Sequence, residues 1–296
     1  MRVHLVDGTY ELFRHYFAVP KSAGSKREEV AATRGVLNSM LSLLDSGATH
    51  MGVATDHVIE SFRNDLYAMY KTGEGIPADL SGQFTLLEDA LRSMGVVVWA
   101  MVEFEADDAL AASAAKAALD ERVEQVVICT PDKDLSQCVV GDRIVQMDRM
   151  RNVIRNEAGV VEKFGVLPQS IPDYLALVGD TADGYPGLAG WGAKAAGTVL
   201  SEYRHIENIP KDAGRWPSSV RGAKKLAATL QQFYTEALLF KTLATLRTDI
   251  DVFGDVEELR WQGPRDDFES ICETLRAPDL FKRAKVLSSS RPIIAR

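Results

Sequence analysis

Glu105-Ala106-Asp107-Asp108 places three carboxylates within four residues, directly after the apolar run 96–102 and directly before the Ala-rich segment 109–119. The run predicts a buried strand and the Ala-rich segment a helix, so the acids fall at a strand-to-helix junction. Alone they read as helix-start chemistry, because Asp and Glu favour the first turn beside the positive end of the helix dipole. Repetition argues for more. Asp7 ends the apolar start, Asp56 follows Ala54-Thr55, Asp132 and Asp134 follow Thr130-Pro131, and Asp180 and Asp183 open a glycine-rich stretch. Each of these acids has a bland reading as a solvated carboxylate or a cap. Packed together without cations, they repel by about 4 kcal/mol per pair at an effective dielectric near 20. Either they stay dispersed or metal ions hold them. All-carboxylate ligation suits magnesium or manganese rather than zinc, and His4, His15, His50, His57 and His205 lack His-x-x-x-His spacing. Two such ions about 3.5 to 4 Å apart activate a water and stabilise the leaving oxygen of an in-line phosphodiester displacement. Hydrolysis of a nucleic-acid backbone fits that arrangement best.

Gly187, Gly190 and Gly192 form a Gly-x-x-Gly-x-Gly turn between two helical segments, 173–178 and 193–203. As a bare backbone turn it either connects helices or approaches a phosphate, with the amides of the next helix's N-terminus behind it. Its place just after two candidate ligands favours the second reading. Contact of that kind reads DNA shape rather than base order.

The elements that must position these residues follow from periodicity. Strands are expected at 2–6, 51–55, 96–102, 125–130 and 143–147, and helical faces at 37–44, 84–94 and 106–121. Such alternation is the signature of an α/β fold: an open, mainly parallel central sheet flanked by helices. In such sheets ligands bind beyond the carboxyl ends of the strands, so Asp7, Asp56, Glu105 and Asp132 should converge on one rim. Residues 20–29, with Pro20, Gly24, Lys21, Lys26 and Arg27, read as a basic loop. The stretch 57–82 lacks clean periodicity and predicts a helix followed by an exposed, adaptable region. After Asp148 helices dominate, and the tail from Ser288 is expected to fray.

The 296 residues, 46% of them hydrophobic, suffice for one large domain or two modest ones. No run approaches the ~18 apolar residues of a membrane span and the apolar start is too short for a signal sequence, so the cytoplasm is the expected compartment. Three cysteines, Cys129, Cys138 and Cys272, lack metal-ligand spacing and argue against a disulfide framework. The net charge of −8 does not exclude a nucleic-acid partner, because setting aside nine metal-bound carboxylates moves the remainder from −8 to +1.

These residues carry a resemblance. Leu5-Val6-Asp7-Gly8 with Leu12-Phe13-Arg14, then Ala54-Thr55-Asp56 with Ser61-Phe62-Arg63 and Tyr70-Lys71, resemble the first two acidic motifs of one family. It is the 5'-nuclease family typified by the N-terminal domain of bacterial DNA polymerase I and by bacteriophage flap endonucleases. Glu105 to Asp108, Thr130 to Leu135 and Val178 to Asp183 resemble its next three motifs, and Lys241 to Asp249 a later segment. The resemblance implies a free-standing, structure-specific 5' nuclease with a PIN-like core, acting by a two-metal mechanism on 5' flaps or 5' ends of DNA and leaving a 5'-phosphate. It implies a core over 1–165 with a helical arch near 57–85, and a helical DNA-binding region over 166–296 whose hairpin, 179–203, is a helix-hairpin-helix (helix-three-turn-helix) variant. It further implies that Asp7, Asp56, Glu105, Asp107, Asp108, Asp132, Asp134, Asp180 and Asp183 hold two magnesium or manganese ions. Arg63 and Lys71 would contact the scissile phosphate. Gly187, Gly190, Gly192 and Lys194 would grip duplex DNA, with a potassium ion at the hairpin. Work on DNA further suggests association with the nucleoid.

The chain departs from the family pattern in places. Glu74 stands where a basic arch residue is usual, and between Ser61 and Asp89 only Arg63 and Lys71 are positive. Gly184 replaces an expected Asn. Two rival expectations follow: a DNA-junction-binding protein with weak or no catalysis, and a metal-dependent ribonuclease on a similar core.

Overall fold

The computed structural model describes residues 1–18 and 30–290. The basic loop expected at 20–29 and the residues beyond Ser290 lie outside the described residues. In chain order the strands are β1 (Arg2–Asp7), β2 (His50–Asp56), β3 (Val97–Met101), β4 (Gln125–Cys129), β5 (Ile144–Asp148) and β6 (Val153–Arg155). The helices are α1 (Gly8–Ala18), α2 (Ala31–Asp45), α3 (Phe62–Leu66), α4 (Ala78–Ser81), α5 (Gln83–Ser93), α6 (Ala106–Ala118), α7 (Glu157–Phe164) and α8 (Ile171–Val178), then α9 (Ala193–Tyr203), α10 (Ala223–Gln232), α11 (Tyr234–Ala244), α12 (Phe268–Thr274) and α13 (Pro278–Ser289).

The sheet order is β3-β2-β1-β4-β5-β6, parallel through β5, with β6 antiparallel at the edge. Every residue of β2 is buried, as a central strand covered on both faces requires. Strand order reverses direction between β1 and β4, so a crevice opens there beyond the carboxyl ends. Val6 lies opposite Cys129 and Val53, and Asp7 opposite Ala54, so the three central strands end nearly level. β6 escaped the sequence reading because three half-exposed residues carry no periodic signal.

Three apolar clusters hold the layers. Leu12, Val36, Met40, Leu87 and Leu91 from α1, α2 and α5 cover one face. On the other face α6 presents Ala106, Ala109, Leu110, Ala114 and Ala117 to β1 and β4. Small side chains let this helix sit close to the sheet, which brings its acidic first turn down to the strand ends. The third cluster joins α8, α9, α10 and α11 through Leu175, Val199, Leu226, Leu230 and Phe240.

Across residues 57–85, the segment expected to form the arch, the chain makes no single long helix. The short α3 and α4 flank a turn segment that folds inward, with Tyr70 buried and the Lys71 amide donating to Asp183 O at 3.0 Å. The helical region assigned to 166–296 does not stay together either. Beyond α11 the chain returns to the α/β core, where Trp261, Phe268, Cys272 and Leu280 pack with α2 and α5. The Trp261 indole donates to Met94 O at 2.8 Å, since a buried N–H needs a partner. Ser288 and Ser289 end α13 rather than fraying. None of the described helices is long and apolar enough to cross a membrane.

Candidate active site

Asp7 ends β1 and is held by two donors, the Tyr10 amide at 2.8 Å and the Thr130 hydroxyl at 3.0 Å. Asp56 ends β2, and its carboxylate accepts from the Ala106 amide at 2.8 Å, at the N-terminus of α6. A helix N-terminus has free amides, so the strand end and the helix start tie each other down. Glu105 is the N-cap of α6 and accepts from the Ser61 hydroxyl at 2.6 Å and the Tyr70 hydroxyl at 3.3 Å. The Lys71 ammonium lies 2.6 Å from Glu105 and 3.8 Å from Asp183, bridging two chain segments.

After β4, Asp132 accepts from the Asp134 amide at 3.0 Å, a turn that stacks two carboxylates. Asp134, Asp180 and Asp183 each offer an oxygen such that all three lie within 4.8 Å of one another. Asp134 Oδ1 is buried without a hydrogen-bond partner among the described residues. An orphaned buried oxygen inside a carboxylate trio fits a hard divalent cation. Lys133 balances one side, its ammonium 2.5 Å from Asp180.

The electrostatics join these acids into one basin. Burial, with the charges of Asp56 and Asp132, pushes Asp7 up to about 7 despite the Tyr10 hydrogen bond. Burial and the charges of Asp132 and Asp7 likewise raise Asp107 well above the usual carboxylate range. At the other end burial and Asp132, Asp183 and Asp180 raise Asp134, while burial holds Asp183 at about 6 against the opposing charge of Lys71. Asp132 therefore bridges both ends. Glu105 is the exception: burial opposes its charge, but Lys71 and Arg63 outweigh burial and hold it low.

Two assignments from the sequence change. Arg63 is 1% exposed and donates to both oxygens of Asp108 at 2.7 Å, to Glu105 at 3.1 Å, and to the carbonyls of Leu243 and Thr245. Every direction of its fork is occupied, so it cannot reach a substrate phosphate. Asp108 is 0% exposed and also accepts from the Glu105 and Arg247 amides, which removes it from the basin. Asp107, one residue earlier on the helix, turns the other way into the basin. Sequence reasoning assigned no role to Thr9, Ser61, Tyr70, Thr130 or Lys133, which orient or balance the acids. The available signal was their place within a few residues of the carboxylates.

Beside the basin, the 179–192 turn closes on itself. Asp180 and Tyr185 exchange backbone hydrogen bonds, and the Leu188 amide donates to Leu177 O at 2.9 Å. Gly187 has φ +69, and a Cβ there would lie 2.4 Å from Gly179 N. Leu188 and Trp191 are buried anchors, and the Trp191 ring meets Trp216 at 5.6 Å. Gly190, Gly192 and Lys194 stay exposed on one edge, with α9 starting behind them.

An open parallel sheet with a carboxylate basin suited to divalent cations, beside a bare glycine turn, defines a metal-dependent nuclease. Residues 2–165 match the family described as 5'-3' exonuclease, N-terminal resolvase-like domain, and residues 166–267 its C-terminal SAM fold. The chain belongs to the 5'-3' exonuclease family. It is 32% identical over 264 residues to the 5'-3' exonuclease of Aquifex aeolicus, covering 88% of this chain and 87% of that one. It is 34% identical to DNA polymerase I of Pseudomonas aeruginosa over 86% of this chain and 28% of the polymerase's length. Among solved structures it is similar to the bacteriophage T5 flap endonuclease in a pseudo-enzyme-product complex with DNA and metal ions. That likeness has a TM-score of 0.65 at 19% identity, covering 98% of each chain.

Proposed function

We propose that this protein is a structure-specific 5' nuclease that hydrolyses DNA phosphodiesters at 5' flaps and 5' ends. The observation that carries the reading is the convergence of Asp7, Asp56, Glu105, Asp107, Asp132, Asp134, Asp180 and Asp183 on the carboxyl end of the sheet. Two magnesium or manganese ions bound there would supply an activated water and stabilise the leaving oxygen. In the net reaction water adds to phosphorus and the P–O3' bond breaks, leaving a 5'-phosphate and a 3'-hydroxyl. The chain's own part is positional. Thr130 and the Tyr10 amide orient Asp7, and the Ala106 amide orients Asp56. Lys71, part-exposed between Glu105 and Asp183, offers its ammonium to a non-bridging oxygen of the scissile phosphate. Duplex DNA is held by the amides around Gly187, Gly190 and Gly192 and by Lys194, with carbonyls of the turn available to potassium. A nuclease acting on DNA in this way would work at the nucleoid, in the cytoplasm. The inward-folded 57–85 segment supports positioning at a junction through Lys71 rather than passage under a helical arch.

The test is cleavage of a labelled 5'-flap duplex with magnesium or manganese, alongside a matched RNA junction. Asp132→Ala should abolish turnover while retaining duplex binding, and Lys71→Ala should slow it by roughly 10²-fold, as loss of one transition-state donor does. Undiminished cleavage by Asp132→Ala would overturn the reading. Preference for RNA would move it to the ribonuclease class.

A further inference from the structure

A groove of about 450 Å³ runs between the end of α7, α8 and α9. Its walls carry two lysines from different elements, Lys163 and Lys194, together with Tyr174, Thr198 and Ser201. Neither lysine forms an ion pair among the described residues, whereas Lys71, Lys133 and Lys241 are each tied to carboxylates. Lys163 rests its ammonium 4.6 Å above the Phe164 ring, which in turn packs edge-on against Tyr174 at 5.6 Å. Tyr174 is only 7% exposed as a residue and lines the groove, and its hydroxyl donates to no group among the described residues. The oxygen itself is open to the groove, so it is free to donate to something that enters.

The groove's location limits what that is. Lys194 stands at its mouth in the first turn of α9, directly after the glycine turn. Lys163 is close enough for the charges of Arg155 and Arg151, and of Asp132 and Asp148 near the ends of β4 and β5, to act on it. Lys133, paired with Asp180 in the basin, acts on Tyr174 in the same way. The groove therefore spans the interval between the glycine turn and the basin. A strand gripped at one and cut at the other has to cross that interval.

We propose that this groove binds a backbone phosphate of the duplex between the glycine turn and the basin, with Lys163 and the Tyr174 hydroxyl as its donors. The inference rests on the nuclease reading and adds a contact to it. An ammonium without a carboxylate partner, over an aromatic ring and beside an unused hydroxyl, suits a phosphodiester oxygen: the charge steers and the hydroxyl fixes the oxygen. Contact of this kind carries no base information, so the effect is uniform across sequences.

The experiment is fluorescence anisotropy of a labelled junction duplex in EDTA, which prevents hydrolysis, at a series of salt concentrations. Loss of one phosphate contact lowers the slope of log Kd against log salt by about 0.9 and weakens binding by about 8-fold at 0.1 M salt. Lys163→Ala should show both, and Lys163→Arg should restore them. Should Lys163→Ala also melt early, Ser201→Glu, on an exposed position of the same groove, should weaken binding without that complication. Tyr174→Phe should weaken binding and leave the salt slope unchanged, as loss of an uncharged donor requires. Wild-type affinity and slope in both Lys163→Ala and Ser201→Glu would overturn the groove. Flap cleavage by the wild-type protein, measured separately with manganese, shows in that event that the nuclease reading survives without it. Failure of the wild-type protein both to bind the duplex in EDTA and to cleave the flap with manganese would remove both.

Discussion

Arg63 provides the sharpest test, because its sequence context suggests a phosphate contact and its structure a buried strut. Arg63→Ala removes five hydrogen bonds: two to Asp108, one to Glu105, and two to the carbonyls of Leu243 and Thr245. Among the described residues Asp108, wholly buried, then keeps only the Glu105 amide at 3.0 Å and the Arg247 amide at 2.9 Å. Breaking one side of a buried ion pair costs about 3–5 kcal/mol, mostly from the charge left uncompensated. With a urea m-value of about 3 kcal/mol per molar, the upper end for small proteins, the unfolding midpoint should fall by 1 M or more. Far-UV circular dichroism across a urea titration measures it. Arg63→Lys keeps the charge but loses the two-toothed geometry, so it should fall between wild type and Arg63→Ala. Adding Asp108→Asn to Arg63→Ala should recover part of the loss by removing the stranded charge. A wild-type midpoint in Arg63→Ala together with abolished turnover would refute the strut and return Arg63 to the substrate.

Two further predictions concern a glycine and a histidine. Gly184→Asn, which restores the residue usual in the family, should destabilise by about 1–3 kcal/mol and slow single-turnover cleavage. Asn tolerates the φ of +87 there, but its Cβ would lie 2.3 Å from Met69 O and push the segment carrying Lys71 outward. A neutral effect in thermal melts would show that the 69–71 segment yields freely. His4 is held down to about 4 by burial, aided by the charges of Arg2 and Arg149, and its Nδ1 is buried without a partner among the described residues. The unfolded chain takes up this proton below 6.5 and the folded one only near 4, so stability from His4 is full above 6.5 and is lost as pH falls toward 4. Melting curves of wild type and His4→Gln should therefore differ in their acid dependence between pH 7 and pH 5, with the variant losing less. Parallel curves would place the His4 pKa near its ordinary value.

The carboxylates were legible because chemistry leaves a dense local mark: several acids at a strand-to-helix junction, repeated at separate strand ends. The parallel sheet was legible for a related reason, since apolar runs ending near Asp7, Asp56, Glu105 and Asp132, at intervals of 49, 49 and 27 residues, leave room for crossover connections. The hairpin showed through its glycines, which need no side chain to be recognised. β6, three residues long, left no such mark, and neither did the return of α12 and α13 to the core. Their apolar faces look the same whether they cover the sheet or a separate helical unit.

What the sequence determined by itself was which residues carry charge and on which element each one sits. Tertiary structure decided how that charge is used, because the partner of a side chain depends on contacts between distant segments. Asp107 and Asp108 are neighbours on one helix, yet the roughly 100° turn per residue sends one into the basin and the other to Arg63. Arg63 and Lys71 lie eight residues apart in one motif. Only Arg63 meets the carbonyls of Leu243 and Thr245, some 180 residues away, and is sealed there. Lys71 stays at the basin's edge.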